Sequence, residues 1–400
     1  MEITPGTFTD LGLSAPVLKS LEHNGFVHPT PIQNEAIPIA LAGHDLIGCA
    51  QTGTGKTLAF TLPLLERLAG KTGTRCLILC PTREIAEQTH ATIEKLGPPL
   101  GLHSVCVIGG KRMHSQIQGL KKQVTFVVAT PGRLVDHMER RNINMKHIEY
   151  VVLDEADHML DLGFLPQIRH IFREIPKERQ TLMFSATFPH EIEQLAQQYL
   201  RHPKRVQISR PGTAAEGIEH EIYLMEPQYK RQAIMVLLKD EQQSTLIFTR
   251  TKLDAEWLYK LLHTQGHSVH VLHADRTQGE RSQTLEKFKA GEYQMIVATD
   301  LLARGIDIKG IAHVVNFDIP QNPEDYIHRA GRTARLHAKG KTSTLATWIQ
   351  RSFVEAIETQ LGFPIPRKTL PGIPAFEEGP AKKAPAFGRI SRRAPRVRMR

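Results

Sequence analysis

The sequence predicts an α/β protein of two similar lobes, each built on a parallel sheet that is covered by helices on both faces. The chain has 400 residues, which is about two to three times the length of one typical domain. Short apolar runs alternate with longer helical stretches in the first half, and the same scheme repeats in the second half. Because these runs lack polar alternation, they suit strands that are buried on both faces.

The predicted strands follow in order along the chain. The first lobe contains the runs DLIGCA, CLILC, SVCVIGG, FVVAT, YVVLDEAD and TLMFSAT, and the second contains STLIFTRT, VHVLHAD, QMIVATD, HVVNFD and TSTLATW. In parallel sheets, ligands bind at the carboxyl ends of the strands. Clusters of Gly, Thr, Asp and Arg begin where these runs end, so we expect the chemistry at one edge of each lobe and in the cleft between the lobes.

Composition sets the predicted boundaries. We expect the first lobe over residues 1–204, a linker over 205–217, where small residues, Pro and Gly accumulate, and the second lobe over 218–362. Residues 364–400 hold ten Lys or Arg, two Glu and seven Pro, so they carry +8 of the net charge of +10. This composition predicts a disordered, basic, Pro-rich tail over 363–400.

Other features exclude several classes of protein. No apolar run is long enough for a membrane helix, and Met1 to Asp10 lack the basic and apolar regions of a signal peptide. We therefore expect a cytoplasmic protein without a membrane partner. The four cysteines lie at apolar positions, and their spacing favours buried reduced thiols over disulfides or a zinc site.

A glycine-rich turn, AQTGTGKT over residues 50–57, follows the first strand and precedes a helical run. In such a turn, backbone N–H groups and the helix N-terminus surround phosphate oxygens. Lys56 is placed to reach the β- and γ-phosphates, and Thr57 to bind Mg²⁺. The alternative is a flexible turn, but its setting between a strand and a helix favours phosphate binding.

The acidic run Asp154, Glu155, Ala156 and Asp157 ends the strand YVVL. Asp154 is a candidate ligand of Mg²⁺, and Glu155 is a candidate to polarise an attacking water. An acidic run alone is usually a solvated surface. Its place at a strand end, downstream of a phosphate-binding turn, instead predicts nucleotide hydrolysis.

Taken together, these motifs resemble those of the DEAD-box RNA helicases, and the short bacterial RhlE-like members are the most similar. The resemblance covers about residues 8–362 and rests on motifs in the family's order: GFVHPTPIQ, AQTGTGKT, PTREIAEQ, the pair Gly109-Gly110, TPGR, DEAD, SAT, LIFTRT, QGER, ATDLLARGIDI and HRAGRTAR. It implies two RecA-like lobes, a Q motif, and ATP and Mg²⁺ as cofactors.

The resemblance also implies roles for residues of the nucleotide site. Gln33 would read the adenine edge and Phe8 would stack on the base, although taken alone they would be a surface residue and a core anchor. The phosphates and ribose would be bound by Gln51, Thr52, Gly53, Thr54, Gly55, Lys56, Thr57 and Asp307. Catalysis would rest on Lys56, Asp154, Glu155, His328, Arg332 and Arg335, with the last two as arginine fingers. Ala330 and Ala334 depart from the family pattern, which puts the rate in question.

The RNA contacts implied by the family lie in both lobes. They are Thr82, Arg83, Gly109, Gly110, Pro131, Gly132 and Arg133 in the first lobe, and Arg250, Arg281 and Thr299 in the second. Such residues bind the sugar-phosphate backbone without reading sequence, although the glycine pairs are also typical of simple turns. Ser185 and Thr187 would couple hydrolysis to strand separation, or would only satisfy local backbone groups.

The predicted function is an ATP-dependent RNA helicase that binds single-stranded RNA and separates short duplexes or remodels RNA-protein complexes. Ribosomal or RNA-decay complexes are possible partners under this prediction. Two alternatives stay open from the sequence: a DNA translocase, which shares the phosphate loop, and a non-catalytic RNA chaperone or clamp, in which the tail anneals strands.

Overall fold

The computed structural model describes residues 6–50, 53–122, 124–208, 217–300, 311–333, 340–374 and 376. Within these residues, the chain forms two α/β lobes, each with an entirely parallel sheet. The predicted fold class is therefore confirmed.

The first lobe alternates strands and helices. Its strands are β1 Leu46–Cys49, β2 Cys76–Leu79, β3 Ser104–Val107, β4 Phe126–Ala129, β5 Tyr150–Leu153, β6 Gln180–Ser185 and β7 Lys204–Gln207. Its helices are α1 Ala15–His23, α2 Pro31–Leu41, α3 Lys56–Leu68, α4 Arg83–Leu96, α5 Met113–Lys121, α6 Pro131–Glu139, α7 Ala156–Asp161, α8 Leu165–Glu174 and α9 His190–Tyr199. The strand order is β3-β4-β2-β5-β6-β1-β7. The inner strands β2 and β4 are buried along their full length, as their unbroken apolar runs predict.

The second lobe repeats this plan. Its strands are β8 Ile218–Met225, β9 Thr245–Thr249, β10 Val269–Leu272, β11 Met295–Thr299, β12 His313–Asn316 and β13 Gly340–Thr347. Its described helices are α10 Lys230–Leu238, α11 Lys252–Thr264, α12 Gln278–Lys289, α13 Pro323–Ala330 and α14 Arg351–Leu361. The strand order is β10-β11-β9-β12-β13-β8.

Threonines at helix N-termini fix several of the turns that carry motifs. The Thr82, Thr251 and Thr277 hydroxyls accept hydrogen bonds from backbone N–H groups in the first turns of α4, α11 and α12. Such caps satisfy N–H groups that the helix itself leaves unpaired. They thereby hold the chain where it leaves the carboxyl edge of each sheet.

Two predicted boundaries differ from the structure. Lys204–Gln207 form β7, which pairs with β1, so the first lobe continues into the predicted linker. At the other end, residues 364–374, here named the C-terminal strap, pack on the second lobe. The Ile222 N–H donates to the Pro366 carbonyl at 3.0 Å, and the side chains of Leu370 and Ile373 pack against the core. The tail prediction was therefore wrong for the strap, because its sparse apolar residues match a groove that only the folded lobe creates.

The cysteines lie in the first lobe, at apolar positions of the sequence. Cys49, Cys76 and Cys80 are buried, Cys106 is half-buried, and all four are free thiols. Among the described helices, none combines the length and the apolar character that crossing a bilayer requires.

Candidate functional site

The glycine-rich turn lies at the carboxyl end of β1 and leads into α3. Gly53 and Gly55 have positive φ angles of 88° and 95°, and a Cβ on Gly55 would collide with the Gln33 amide. Lys56 follows at the start of α3, and its side chain is only 6% exposed. Within the described structure, its Nζ has no hydrogen-bond partner. A buried ammonium group without a partner is costly unless a ligand pairs with it.

Asp154 ends β5 on the same edge of the sheet. Its Oδ1 is buried and lacks a partner among the described residues. Burial raises the pKa of Asp154 to about 7, although the charge of Lys56 opposes this effect. Oxygen donors such as this carboxylate and the Thr57 hydroxyl suit Mg²⁺. The orphaned ammonium and the orphaned carboxylate together fit a nucleotide phosphate with a bound cation.

Glu155 adopts φ 49° and ψ 57°, a left-handed conformation that is uncommon for residues other than glycine. Its Oε2 lies 3.2 Å from Nδ1 of His158. Burial raises the pKa of the Glu155 carboxyl, but the hydrogen bond from His158 and the charges of Lys56 and Arg332 outweigh it and hold that pKa well below its ordinary value. The carboxylate is therefore ionised at neutral pH.

Asp157 joins three predicted motifs. Its Oδ2 accepts hydrogen bonds from the backbone N–H of Thr187 at 2.8 Å and from its hydroxyl at 3.0 Å, and its own N–H donates to Ser185 Oγ at 3.2 Å. From the second lobe, His328 Nε2 approaches Asp157 Oδ2 to 3.9 Å. The acidic run, the SAT segment and the arginine-rich motif of the second lobe thus meet at one carboxylate.

The arginine-rich motif contributes two buried side chains. Arg332 is buried and close enough to Glu155 to lower the pKa of that carboxyl. Arg329 donates to both carboxylate oxygens of Asp300 and to the amide oxygen of Asn316. Other predicted residues of the nucleotide site lie outside the described residues, namely Gln51, Thr52, Asp307 and Arg335.

Both predicted base-contacting residues are engaged inside the protein. The Gln33 side chain accepts a hydrogen bond from the Thr30 N–H at 2.9 Å and donates one to the Gly55 carbonyl at 3.0 Å. Phe8 is 5% exposed and belongs to the core of the first lobe. The structure thus packs Phe8 in the core and ties Gln33 to the phosphate-binding turn, and the contact of either side chain with the base stays a prediction.

A cavity of about 410 Å³ opens where the two lobes meet. It is lined by Pro81, Thr82, Arg83, Gly109, Thr130, Gly132, Arg133, Leu162, Phe164, Ala274 and Arg281. The cavity thus brings together six of the ten residues that were predicted to contact RNA. Of the other four, Gly110 and Pro131 adjoin lining residues in the chain, while Arg250 and Thr299 lie at the carboxyl ends of β9 and β11.

Arg83 explains the glycine pair beside this cavity. Its guanidinium lies over Gly109 and Gly110, and a Cβ on Gly110, whose φ is 80°, would collide with it. Nearby, Arg133 Nη1 donates to the Lys111 carbonyl at 3.1 Å. The glycines therefore leave room for a guanidinium at the cavity wall, which is a stronger constraint than a simple turn.

Arg281, which was predicted to contact RNA, has a partner in the other lobe. It is buried and forms an ion pair with Glu84, which lies in α4 of the first lobe. Gln278 Nε2 adds hydrogen bonds to Glu84 Oε1 at 3.2 Å and to Glu87 Oε2 at 3.4 Å. The arginine therefore joins the two lobes at the cavity, and its direct contact with RNA stays a prediction.

Sequence reasoning missed several residues of the site. Glu84 and Gln278 lie within the quoted motifs PTREIAEQ and QGER, so a pairing of opposite charges between these motifs was an available signal. Leu162 and Phe164 line the cavity as apolar residues, and the sequence around them gives no comparable signal. The role of His158 was also missed, although it directly follows the acidic run.

Fold and site together define a two-lobed α/β nucleotide-binding protein with a cavity between its lobes. The DEAD/DEAH box helicase family model matches residues 30–195, and the helicase conserved C-terminal domain model matches residues 229–337. The DEAD-box ATP-dependent RNA helicase CshA of Bacillus cereus is 40% identical over 376 residues, which cover 93% of this chain and 71% of that protein. RhpA of Helicobacter pylori, a helicase of the same description, is 42% identical over 342 residues, or 85% of this chain and 70% of that protein.

A solved structure extends the likeness to both lobes. The structure of Dbp5 from S. cerevisiae, bound to RNA and ADP BeF3, matches with a TM-score of 0.83 and 30% identity, over 91% of this chain and 95% of that one. The chain therefore belongs to the DEAD-box family of ATP-dependent RNA helicases. The RhlE-like subtype stays a prediction.

Proposed function

We propose that this protein hydrolyses ATP in the cleft between its lobes and uses the closed state to bend and separate short RNA duplexes or to remodel RNA-protein complexes. The observation that carries this proposal is a pair of buried polar atoms, Lys56 Nζ and Asp154 Oδ1, which have no hydrogen-bond partner among the described residues and lie on the same sheet edge as a cavity that both lobes line. One site is thus ready for a nucleotide and the other for a second ligand.

Each residue of the nucleotide site has a defined task in this proposal. Lys56 and the backbone N–H groups of the turn bind phosphate oxygens. Thr57 and Asp154 would hold Mg²⁺, which supplies charge stabilisation to the transferring phosphoryl group when bound. Glu155, which is ionised at neutral pH, accepts a hydrogen bond from the attacking water and orients it. Arg332 brings a fixed positive charge from the second lobe.

Asp157 supports the proposed coupling between hydrolysis and RNA. Its carboxylate is bonded to Thr187 in the first lobe and faces His328 of the second lobe. When the lobes approach or separate, the distance between His328 and the Asp157 carboxylate changes. Thr187 follows any movement of that carboxylate, because it is hydrogen-bonded to it. We therefore assign Ser185 and Thr187 to coupling, as the sequence predicted.

The RNA site follows from the chemistry of the cavity between the lobes. Thr82, Arg83 and Arg133 offer hydroxyl and guanidinium donors to phosphates, and Gly109 and Gly132 allow close approach of a backbone. Contacts of this kind position a nucleic acid without reading its sequence. Single-stranded RNA and the ends of short duplexes are the ligands that we propose.

Base recognition by Gln33 requires that its amide leave the bonds to Thr30 and Gly55 or share them with adenine. We propose that nucleotide binding causes this exchange. Gln33→Ala is then expected to erode the preference for ATP over GTP by about tenfold, since a site that pairs a base edge rejects the wrong base by leaving polar groups unpaired. Competition of ATP and GTP in a turnover assay measures the ratio, and an unchanged ratio would assign Gln33 to a structural role.

The overall function is tested by turnover and strand separation with the same full-length protein. We expect ATP hydrolysis to be stimulated by single-stranded RNA and a short RNA duplex to be separated only with ATP and Mg²⁺. Equal stimulation by DNA of the same sequence would favour a DNA translocase. Strand annealing without ATP, together with unstimulated hydrolysis, would favour the chaperone alternative.

The cellular setting forms a separate part of the proposal. We propose action in the cytoplasm within ribosomal or RNA-decay complexes, supported by the family membership and by the absence of a recognisable sequence-reading module in the described lobes. Crosslinking of the protein to RNA in cells, followed by sequencing of the bound RNA, tests it. Bound RNA without enrichment of ribosomal RNA or decay intermediates would contradict it.

A further inference from the structure

His158 directly follows the acidic run, and its hydrogen bond lowers the pKa of Glu155. It lies in α7, and its side chain is 3% exposed. Nδ1 is 3.2 Å from Glu155 Oε2, one turn of the helix earlier. An ionised carboxylate can accept hydrogen bonds but cannot donate them. Nδ1 of His158 therefore carries the hydrogen and donates it to Glu155.

We propose that His158 is a positioning residue for Glu155, which holds Oε2 so that Oε1 stays directed at the attacking water. This inference rests on the proposed function, in which Glu155 orients that water. It assigns to the imidazole no contact with nucleotide or RNA. Its effect on the reaction passes entirely through the carboxylate.

The surroundings of Glu155 explain why its carboxylate needs to be held. Lys56 and Arg332 are both close enough to lower the pKa of Glu155. A carboxylate that rotates freely would turn toward these cations and form an ion pair instead of facing the water. The hydrogen bond from His158 competes with that rotation. The left-handed backbone of Glu155 adds a fixed starting direction for the side chain.

The other nitrogen of the ring argues against a purely structural role for His158. Nε2 is buried and, within the described structure, has no hydrogen-bond partner. A buried polar atom without a partner lowers stability, so an apolar side chain of similar size would pack at least as well here. The remaining reason for an imidazole at this position is the bond that Nδ1 makes to Glu155.

The two ring nitrogens give a sharp test, because Asn places its amide nitrogen near the position of Nδ1, whereas Gln places it near Nε2. We expect His158→Asn to keep the maximal ATPase rate within about threefold of the parent, and His158→Gln and His158→Leu to lower it by about tenfold or more. The KM for ATP and the affinity for RNA should stay within about twofold in all three variants, since no ligand contact is removed.

A matched control is available in the second lobe. His220 is also buried, and its Nδ1 lies 2.8 Å from the Tyr326 hydroxyl. His220→Gln is expected to alter thermal stability and to leave the maximal rate unchanged. Melting temperatures of all variants separate a loss of fold from a loss of rate.

The possible outcomes decide the inference separately from the proposed function. Parental rates in His158→Leu and His158→Gln would overturn the positioning role, as would equal losses in the Asn and Gln variants. A rise in the KM for ATP that accounts for the lost activity would also overturn it. If the parent protein itself shows no ATP hydrolysis, the proposed function fails first, and that result is visible before any variant is compared.

Discussion

The carboxyl edges of the two sheets both bury charged groups, but these groups differ in whether they have hydrogen-bond partners. In the first lobe, Lys56 Nζ and Asp154 Oδ1 are buried without partners in the described structure. In the second lobe, Arg329 is also buried, but it donates to Asp300, to Asn316 at 2.9 Å and to the Asp318 carbonyl at 2.6 Å. Its guanidinium also lies 4.9 Å from the centre of the Phe248 ring.

The difference indicates a division of labour between two lobes of the same architecture. A buried charge without a partner lowers the stability of the ligand-free protein, and a ligand of opposite charge removes that cost. The first lobe thus keeps unsatisfied groups for a ligand. The second lobe satisfies its own buried charge, and the resulting network fixes the end of α13, where the chain continues to Arg332.

The largest expected effect is on the ATPase rate and concerns Glu155, at the carboxyl edge of the first lobe. Glu155→Gln keeps the shape of the side chain but removes its ability to orient a water as a base. We expect the maximal ATPase rate to fall by about 100-fold or more, with the affinity for ATP nearly unchanged. Steady-state turnover and nucleotide binding measured on the same preparation check this. RNA should also be released more slowly from the ATP-bound variant.

The control for this prediction is the neighbouring change Glu149→Gln. Glu149 pairs with Lys71 and Arg75 at the opposite, amino end of β5 and touches no part of the site. Its replacement is expected to leave turnover unchanged. Turnover of Glu155→Gln within twofold of the parent would remove Glu155 from the catalytic assignment.

The contact between Glu84 and Arg281 tests how the two edges are brought together. Arg281→Met leaves Glu84 buried without its ion pair when the lobes meet, so it should disfavour the closed state. We expect RNA affinity in the presence of a non-hydrolysable ATP analogue to weaken by about tenfold, with little change in its absence. The double change with Glu84→Gln should cost less than the sum of the single changes.

This design also separates the ion pair from the role that the sequence predicted. If Arg281 binds a phosphate directly, its loss weakens RNA binding equally with and without the nucleotide. Glu84→Gln alone would then leave RNA affinity unchanged or raise it, since a negative charge is removed.

A third prediction compares the stability of the two edges directly. Lys56→Met removes a buried ammonium group that has no hydrogen-bond partner among the described residues, but it also removes the favourable charge that Lys56 brings to Asp154 and Glu155. These two effects oppose each other, so the net change in ligand-free stability is expected to be smaller than that of Asn316→Ala. Asn316→Ala removes a partner of Arg329 and of Thr344 and is expected to cost about 1–3 kcal/mol. Both tryptophans, Trp257 and Trp348, lie in the second lobe, so their fluorescence during urea unfolding reports Asn316→Ala, while far-UV circular dichroism, to which both lobes contribute, reports Lys56→Met. Equal losses of stability in the two variants would contradict the proposed difference.

The sequence predicted local and motif-bound features well and long-range partners poorly. Strands such as β2 and β4 were predictable because burial on both faces leaves an unbroken apolar run. Lys56 and Asp154 were predictable because each follows a strand at the edge where ligands bind. The bond between Arg281 and Glu84 was not, since it depends on how two lobes meet. Phe8 and Gln33 were assigned to the base by resemblance, and that assignment stays a prediction.

The C-terminal strap shows the same limit from another side. Its residues were placed in the tail because Pro and basic residues dominate the composition around them. Leu370 and Ile373 nevertheless pack on the second lobe, and Arg367 pairs with Glu358 at 2.6 Å. Composition averages over a window, whereas docking needs only a few apolar side chains in register with a groove.

The smallest expected effect on turnover concerns the basic residues that follow the C-terminal strap in the sequence. Residues 377–400 contain eight Lys or Arg, and each phosphate that they neutralise on a single strand contributes roughly 0.7 to the slope of log K against log salt. If about half of them engage RNA, a chain ending at Phe376 should show a slope that is flatter by roughly 3, with the greatest loss of affinity at low salt. Nucleotide affinity and the maximal rate at saturating RNA should not change, because both edges of the cleft are intact.

A chain ending at Phe363 also lacks the strap and should in addition unfold more easily, which separates tethering from stability. Titration of one single-stranded RNA at several salt concentrations measures the slopes, and overlapping slopes for the full chain and the chain ending at Phe376 would reject a tethering role.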